Sequence, residues 1–364
     1  MRRGSDRRLA ARLLAIAVGA ALILSFPLAA PNPYVLSAGV VVASYAVLAT
    51  SWNLVGGFTG YISLGHGAYF GLGAYGTGLL IVRADAPSFV ALFAAAAIVA
   101  VLAVPIGIAS LRVRGASFVI VSIALVLILL LVFQSWASFT GGSNGLVVPR
   151  PFPDLLRPQH HTVFFYLFCA LLGAALLTWW LIDRSRFGLG LKAIREDEDK
   201  AQSLGTPTFA YKLAVFVLSA TFTALGGGLY ALWFGDLDPI FQFSILTGAY
   251  LVLMALLGGV RHLFGPLLGA LIVGCALEYF KLEYGDTQLH LVATGLLLAL
   301  VVLFMPDGII PAVAELHARL FRPRARSIRE VSAAQLRAQR SNLAGSPSAA
   351  DPDAMASTSS ETPR

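Results

Sequence analysis

Charge is scarce in this 364-residue chain: Asp, Glu, Lys and Arg together make up 12% of it, against roughly 25% in a water-soluble domain. A soluble fold is thereby excluded, and the 57% hydrophobic content and mean hydropathy of +0.78 point to a chain buried in lipid. Cysteine is nearly absent. Cys169 and Cys275 both lie inside apolar runs and read as small buried hydrophobes, so neither a disulfide framework nor a C-x-x-C metal site is available. No G-x-x-x-x-G-K-[ST] occurs, so the chain has no P-loop to cradle a nucleotide, and energy for pumping has to come from elsewhere. Missing too are G-x-S-x-G, H-E-x-x-H and paired carboxylates buried in apolar segments. Hydrolytic chemistry is disfavoured by that, and ion-coupled transport is weakened. His160 and His161 are adjacent in a loop and read as solvated rather than as ligands.

What is present in abundance is apolar sequence of spanning length. A membrane helix needs about 20 mostly apolar residues at ~1.5 Å rise each. Ten segments meet that measure: Leu13–Ala30, Val35–Val55, Ser63–Val82, Ser88–Leu111, Ser117–Gln134, Val163–Ile182, Leu213–Phe234, Ser244–Val260, Phe264–Phe280 and Leu291–Ile310. The third is crowded with glycine and the eighth is short. The expected fold is an all-α polytopic bundle of about ten transmembrane helices. Its parts are a basic N-terminus (1–12), a membrane domain (13–310) with a long loop at 183–211, and a tail (311–364) of Arg, Ala, Ser and Pro expected to be disordered.

Lys and Arg sort strongly between alternate loops. With the N-terminus inside, 22 of the 26 fall on the cytoplasmic side, and only Arg83, Arg150, Arg157 and Lys281 fall outside. An even number of spans with both termini cytoplasmic is therefore expected. The net charge of +7 is accounted for by topology, which leaves membrane lipid as the surrounding partner and no support for nucleic acid. The first 30 residues read as a span rather than a secretory leader, because the apolar run is long and no A-x-A site precedes Pro31.

Two segments are not simply apolar. Gly56 to Gly78, GGFTGYISLGHGAYFGLGAYGTG, interleaves glycine with aromatic and small polar residues, a composition that permits close or broken helices around a cavity. Its G-x-G-x-x-G at Gly71, Gly73 and Gly76 lacks the strand a dinucleotide fold requires and is accidental. Asn53, Ser63, His66 and Thr77 are the candidate residues of a wettable translocation path. The bland reading of His66 is a neutral ring satisfied by a neighbouring carbonyl. Glu278 is expected at the outer interface, snorkelling or pairing with Lys281.

The second segment is the loop Asp183 to Tyr211, much longer than a turn between antiparallel helices needs. From Leu191 to Leu204 it reads as one amphipathic helix. Leu191, Ile194, Ala201 and Leu204 fall on one face, and i,i+4 pairs Arg195–Asp199 and Glu196–Lys200 on the other. Gly205 stops it, with Pro207 beyond. The acidic run from Glu196 to Asp199 would be repelled by anionic lipid, so a protein partner is the favoured destination.

Three stretches resemble the membrane permease subunits of bacterial ABC importers for branched-chain amino acids: Ser51 to Tyr75 (SWNLVGGFTGYISLGHGAYFGLGAY), Arg184 to Gly205 (RSRFGLGLKAIREDEDKAQSLG), and Leu257 to Ala270 (LGGVRHLFGPLLGA) with Leu303 to Ile310 (LFMPDGII) beyond it. Departures from the family pattern fall at Leu189-Gly190 and Arg261-His262. The resemblance implies no catalytic residue, metal or cofactor in this chain, with ATP used by two cytoplasmic ATP-binding subunits. It further implies a homologous second permease, a periplasmic binding protein that delivers the ligand, and a place in the bacterial inner membrane. The 183–211 loop would then be the coupling helix, with Ile194, Arg195, Glu196, Glu198, Leu204 and Gly205 meeting the ATPase. A urea or short-amide importer shares the plan, and a self-sufficient secondary carrier is the more distant alternative.

Overall fold

The helices begin and end where backbone chemistry dictates. Helix α1 (Pro33–Thr59) starts at Asn32, whose side chain accepts from the Val35 amide at 2.9 Å, and Pro33 needs no partner in the first turn. It ends at Gly60, which adopts the left-handed conformation (φ 75°) that a side chain resists. The computed structural model describes residues 32–284 continuously, most of 19–30, and single positions at 292, 295, 296, 308 and 309. After α1 come α2 (His66–Ala84), α3 (Ser88–Ser110), α4 (Ala116–Ser135) and a single turn, α5 (Ala137–Thr140). The long α6 (Arg157–Arg184) leads to two short helices, α7 (Arg186–Glu196) and α8 (Glu198–Ser203), and then to α9 (Thr208–Phe234). The turn α10 (Pro239–Gln242), α11 (Ile245–Gly258) and α12 (Gly265–Tyr284) complete the described chain.

Among the described residues seven stretches are long and apolar enough to cross a membrane. They coincide with seven of the ten expected spans, α10 and α11 together supplying the eighth expected one. The protein is a multi-pass, all-α membrane protein, with one small departure: Leu146–Val147 (β1) and Asp236–Leu237 (β2) form an antiparallel ribbon that ties two loops together. The tenth expected span, the basic N-terminus and the tail lie wholly or largely outside the described residues, as does most of the Leu303 to Ile310 stretch; of the first expected span, positions 19, 21 and 23–29 are described and helical. The third expected span does form a helix, α2, but it is not among the seven. Its glycine and polar content is tolerated because most of its length is buried against other helices rather than lipid.

Helices α1 and α9 form the centre. Helix α1 packs against α6, α9 and α12, while α9 crosses α2 and α3. The α2–α9 crossing depends on glycine at two points. A Cβ on Gly73 would overlap the Ala224 carbonyl, and one on Gly227 would overlap the carbonyl of Phe70. Such small-residue contacts let backbones touch where no hydrophobic drive separates protein from lipid. At the periphery, α4 buries only Phe118, Ser122 and Val126. Helix α11 is short for a span, about 21 Å at 1.5 Å per residue over its 14 residues. Its start at Ser244 lies against Gly67 at the head of α2, so two helix ends meet inside the protein.

The cysteines and the histidine pair depart from expectation. Cys169 is half-buried, but Cys275 is exposed on the outside of α12. His160 and His161 are not solvated loop residues. They lie in the first turns of α6, where the Trp233 indole donates to His161 Nδ1 (2.9 Å) and His160 Nε2 meets the Trp233 carbonyl (3.2 Å). The helix begins earlier than apolarity alone signals, and Trp233 of α9 partners both imidazoles, His161 through its indole and His160 through its carbonyl.

Candidate functional site

Ser185 opens α7 by accepting from the Gly188 amide at 3.0 Å. The apolar face of α7, Leu191 and Ile194, is buried against Leu54, Phe58, Trp179, Ile182 and Val215, which belong to α1, α6 and α9. The single helix expected over Leu191 to Leu204 is in fact two. Asp197 is extended (φ −162°), ends α7, and caps α8 by accepting from the Lys200 amide at 3.0 Å. A short aspartate side chain offers the backbone this alternative to a continuous helix. The break removes the expected i,i+4 pairs. Lys200 instead pairs with Asp197 (2.9 Å), Asp199 with Arg114 of the α3–α4 turn (3.0 Å), and Arg195 with its neighbour Glu196 (3.4 Å). Lys200 holds the Asp197 carboxyl below the usual carboxylate range, so the cap is complete at neutral pH and is lost only as pH falls through that depressed value.

Arg195 and Glu198 fasten this helix pair to the bundle. The Arg195 guanidinium donates to the Gly57 carbonyl at 2.6 Å, placing a cation at the C-terminal end of α1 where the helix dipole favours it. Glu198 is a four-way junction. One carboxylate oxygen accepts from Lys212 of α9 (2.6 Å) and lies 3.4 Å from Arg114, while the other accepts from the Tyr61 hydroxyl (2.9 Å). Lys212 also donates to the Tyr61 oxygen at 2.9 Å, and its side chain is only 3% exposed. Burial pushes the Tyr61 hydroxyl above its ordinary range, with the Lys212 ammonium pulling the other way, so the phenol remains a donor to Glu198. The Tyr61 ring stands edge-on to Phe118 of α4 at 5.1 Å. A single carboxylate thus joins α8 to the α1–α2 loop, the α3–α4 turn and α9.

Of the six expected coupling residues, Ile194, Arg195 and Glu198 face the bundle, and Glu196, Leu204 and Gly205 face away from it. Leu204 does not join the buried stripe, because the break at Asp197 rotates it out, leaving it 86% exposed. Glu196 is largely exposed. Gly205 takes φ +86° with open space around it, which matches its expected role as the stop. Tyr61, Lys212 and Arg114 did not stand out in the sequence. The signal available was Lys212 itself, a lysine at the head of an apolar span, since such a charge requires a counter-ion.

The four path candidates are all buried at helix junctions. Ser63 and His66 come together at 3.2 Å, and His66 Nε2 lies 2.8 Å from Ser219 Oγ. Because Ser219 Oγ donates to the Ser51 carbonyl at 2.5 Å, it must accept from Nε2–H, and a neutral ring then leaves Nδ1 to accept from Ser63. His66 thus sits between two hydroxyls rather than beside a carbonyl. With its amide turned to satisfy both partners, Asn53 donates to the Val260 carbonyl (2.9 Å) and accepts from the Trp179 indole (3.2 Å). Thr77 donates to the Gly73 carbonyl at 2.8 Å. Ser63 also borders an apolar cavity of about 270 Å³, where the hydroxyls of Tyr69 and Ser110 are buried without partners.

A multi-pass helical bundle whose centre is closed by glycine contacts, with a helix pair fastened to one end, is a membrane-embedded protein. The family model described as branched-chain amino acid transport system / permease component matches residues 34–304, and the chain belongs to that family. Among curated relatives, it is 27% identical over 321 residues to the high-affinity branched-chain amino acid transport system permease protein LivM of Escherichia coli, covering 80% of this chain and 74% of the relative. The permease protein LivH of the same organism is 26% identical, with 74% of this chain and 91% of the relative covered. BraD of Pseudomonas aeruginosa, also a high-affinity branched-chain amino acid permease protein, is 28% identical with 74% and 92% covered. No solved structure gives a significant match.

Proposed function

We propose that this chain is one of a pair of permeases in an ATP-driven importer of branched-chain amino acids, spanning the bacterial inner membrane about ten times with both termini cytoplasmic. A periplasmic binding protein delivers the ligand, a homologous permease completes the path, and two ATP-binding subunits grip the cytoplasmic face. The substrate class is carried over from LivM, LivH and BraD. Orientation rests on the uneven sorting of Lys and Arg between alternate loops.

The observation that carries the coupling role is the two-sided character of the α7–α8 pair. One side is riveted to four parts of the bundle through Arg195 and Glu198. The other offers Leu189 and Leu204, both exposed, beside the largely solvent-exposed carboxylates of Glu196 and Asp199, each of which pairs with an arginine. An exposed apolar knob on a rigidly held helix suits a groove on a cytoplasmic ATPase. Closure of the ATPases would then move the pair as a body and pull on α1 and α9.

Affinity purification of the tagged chain from detergent tests this. The ATP-binding subunits are expected to co-purify with the wild type. Leu204→Asp removes the knob, and Gly205→Val forces a β-branched residue into φ +86°. Each is expected to lower recovery of those subunits about tenfold, equivalent to ~1.4 kcal/mol, while membrane insertion stays normal. Undiminished recovery with both variants would remove the coupling assignment.

A further inference from the structure

Glu278 and Lys281 stand one turn apart on α12, and both border a second, partly open cavity of about 270 Å³ lined by α1, α2, α9, α10, α11 and α12. No ion pair closes between them among the described residues. From the sequence Glu278 is expected at the outer interface beside Lys281, snorkelling or pairing. In the structure Glu278 is partly buried and Lys281 exposed, and both border the same chamber.

The rest of the wall is complementary to something small and two-faced. Tyr45, Tyr230 and Tyr250 supply aromatic surface, with the rings of Tyr45 and Tyr250 edge-on at 6.5 Å. Gln242, from the α10 turn, is 2% exposed, and its carbonyl oxygen has no hydrogen-bond partner. A buried acceptor left unpaired costs free energy, so this one calls for a donor from whatever fills the chamber. The volume lies near the lower bound of roughly 300 Å³ for ligand sites, which suits a single small solute.

A solute that carries a cation and an anion on one carbon, with a short aliphatic body, offers a partner of the right kind to each of these groups. Resting on the permease reading above, we propose that this cavity is a subsite for an amino-acid zwitterion within the membrane domain. Glu278 and the Gln242 oxygen receive the α-ammonium, Lys281 receives the α-carboxylate, and the tyrosine walls hold the aliphatic side chain.

The test uses the complete importer purified from its host membrane and reconstituted in proteoliposomes with its binding protein. ATP-driven uptake of radiolabelled leucine is measured in competition with isocaproate, which lacks the ammonium, and isoamylamine, which lacks the carboxylate. Glu278→Gln and Lys281→Met are each expected to lower leucine uptake about 10- to 100-fold, the effect of losing a charge-assisted contact. Glu278→Gln should also narrow the preference for leucine over isocaproate, and Lys281→Met that over isoamylamine. The binding protein is the same throughout, so a changed preference belongs to the permease. Should Glu278→Gln fail to assemble, Gln242→Leu fills a buried site with an apolar side chain and is expected to lower uptake roughly fivefold. Wild-type uptake with unchanged rates and preferences in the variants overturns the subsite while leaving the permease reading intact. So does a lowered rate with unchanged preferences. Wild type that accumulates no leucine at all overturns both.

Discussion

Glu198→Leu is expected to unfasten the α7–α8 pair and to destabilise the purified chain by about 3–5 kcal/mol, read as a lowered unfolding midpoint in detergent. The magnitude comes from the groups the substitution leaves behind. The Lys212 side chain is 3% exposed and has Glu198 at 2.6 Å, so removing the carboxylate strands a buried ammonium with the neutral Tyr61 hydroxyl and ring beside it and no counter-charge at that distance. Arg114 contributes little to this total, because its side chain is 51% exposed and its pairing with Asp199 is solvent-screened. The double variant Glu198→Leu/Lys212→Met separates the two contributions. With both charges gone the desolvation cost disappears with the attraction, and most of the lost stability is expected to return. A double variant no more stable than the single would show that the junction acts through something other than the buried pair. Uptake should not return with stability, since the double variant restores packing but not the polar links to Tyr61 and Arg114.

Gly73→Val is expected to be the most damaging substitution in the membrane domain, at about 3 kcal/mol or more, with the chain recovered as aggregate or degraded rather than as a monodisperse species. A Cβ at this position meets the backbone carbonyl of Ala224, which cannot swing aside as a side-chain end would. Relief requires α2 and α9 to part, and Gly227 on α9 makes the reciprocal contact with Phe70, so the whole crossing is affected. Gly173 on α6 is the contrast. Nothing lies within 4 Å of a Cβ placed there, and Gly173→Ala is expected to leave behaviour unchanged or to gain up to about 1 kcal/mol of helix stability. Size-exclusion profiles of the two variants in the same detergent decide the matter.

The apolar architecture was legible in the sequence because lipid imposes a length and a composition on any exposed span. Helices α1, α3, α4, α6, α9, α11 and α12 emerge from that measure alone, with ends up to six residues off, the largest error at the start of α6. Helix α2 shows where the measure weakens. Enclosed by its neighbours, it is released from the requirement to be greasy and keeps glycine and polar groups for close packing. In the 183–211 loop, amphipathic periodicity correctly placed Leu191, Ile194 and Ala201 on the buried face. It failed at Leu204 because a local aspartate cap at Asp197, invisible to periodicity, breaks the helix and turns its second half.

Long-range partners were the least legible. Tyr61 and Lys212 lie 151 positions apart, with Arg114 and Glu198 between them in sequence, and nothing local in any of the four names the others. The same holds for Trp233 over His161, and for Ser51, Ser63 and Ser219 around His66. What the sequence supplied there was a need, a charge or an imidazole placed where water is absent. Which groups meet that need is decided by helix packing.

The central claim is that this polypeptide moves solute only when cytoplasmic ATP-binding subunits act on its α7–α8 pair. Proteoliposomes holding the complete complex, compared with proteoliposomes holding this chain alone, test it most directly through leucine accumulation against a concentration gradient. Uphill accumulation is predicted only with the complex and only when ATP is supplied; uphill accumulation by the chain alone would contradict the account.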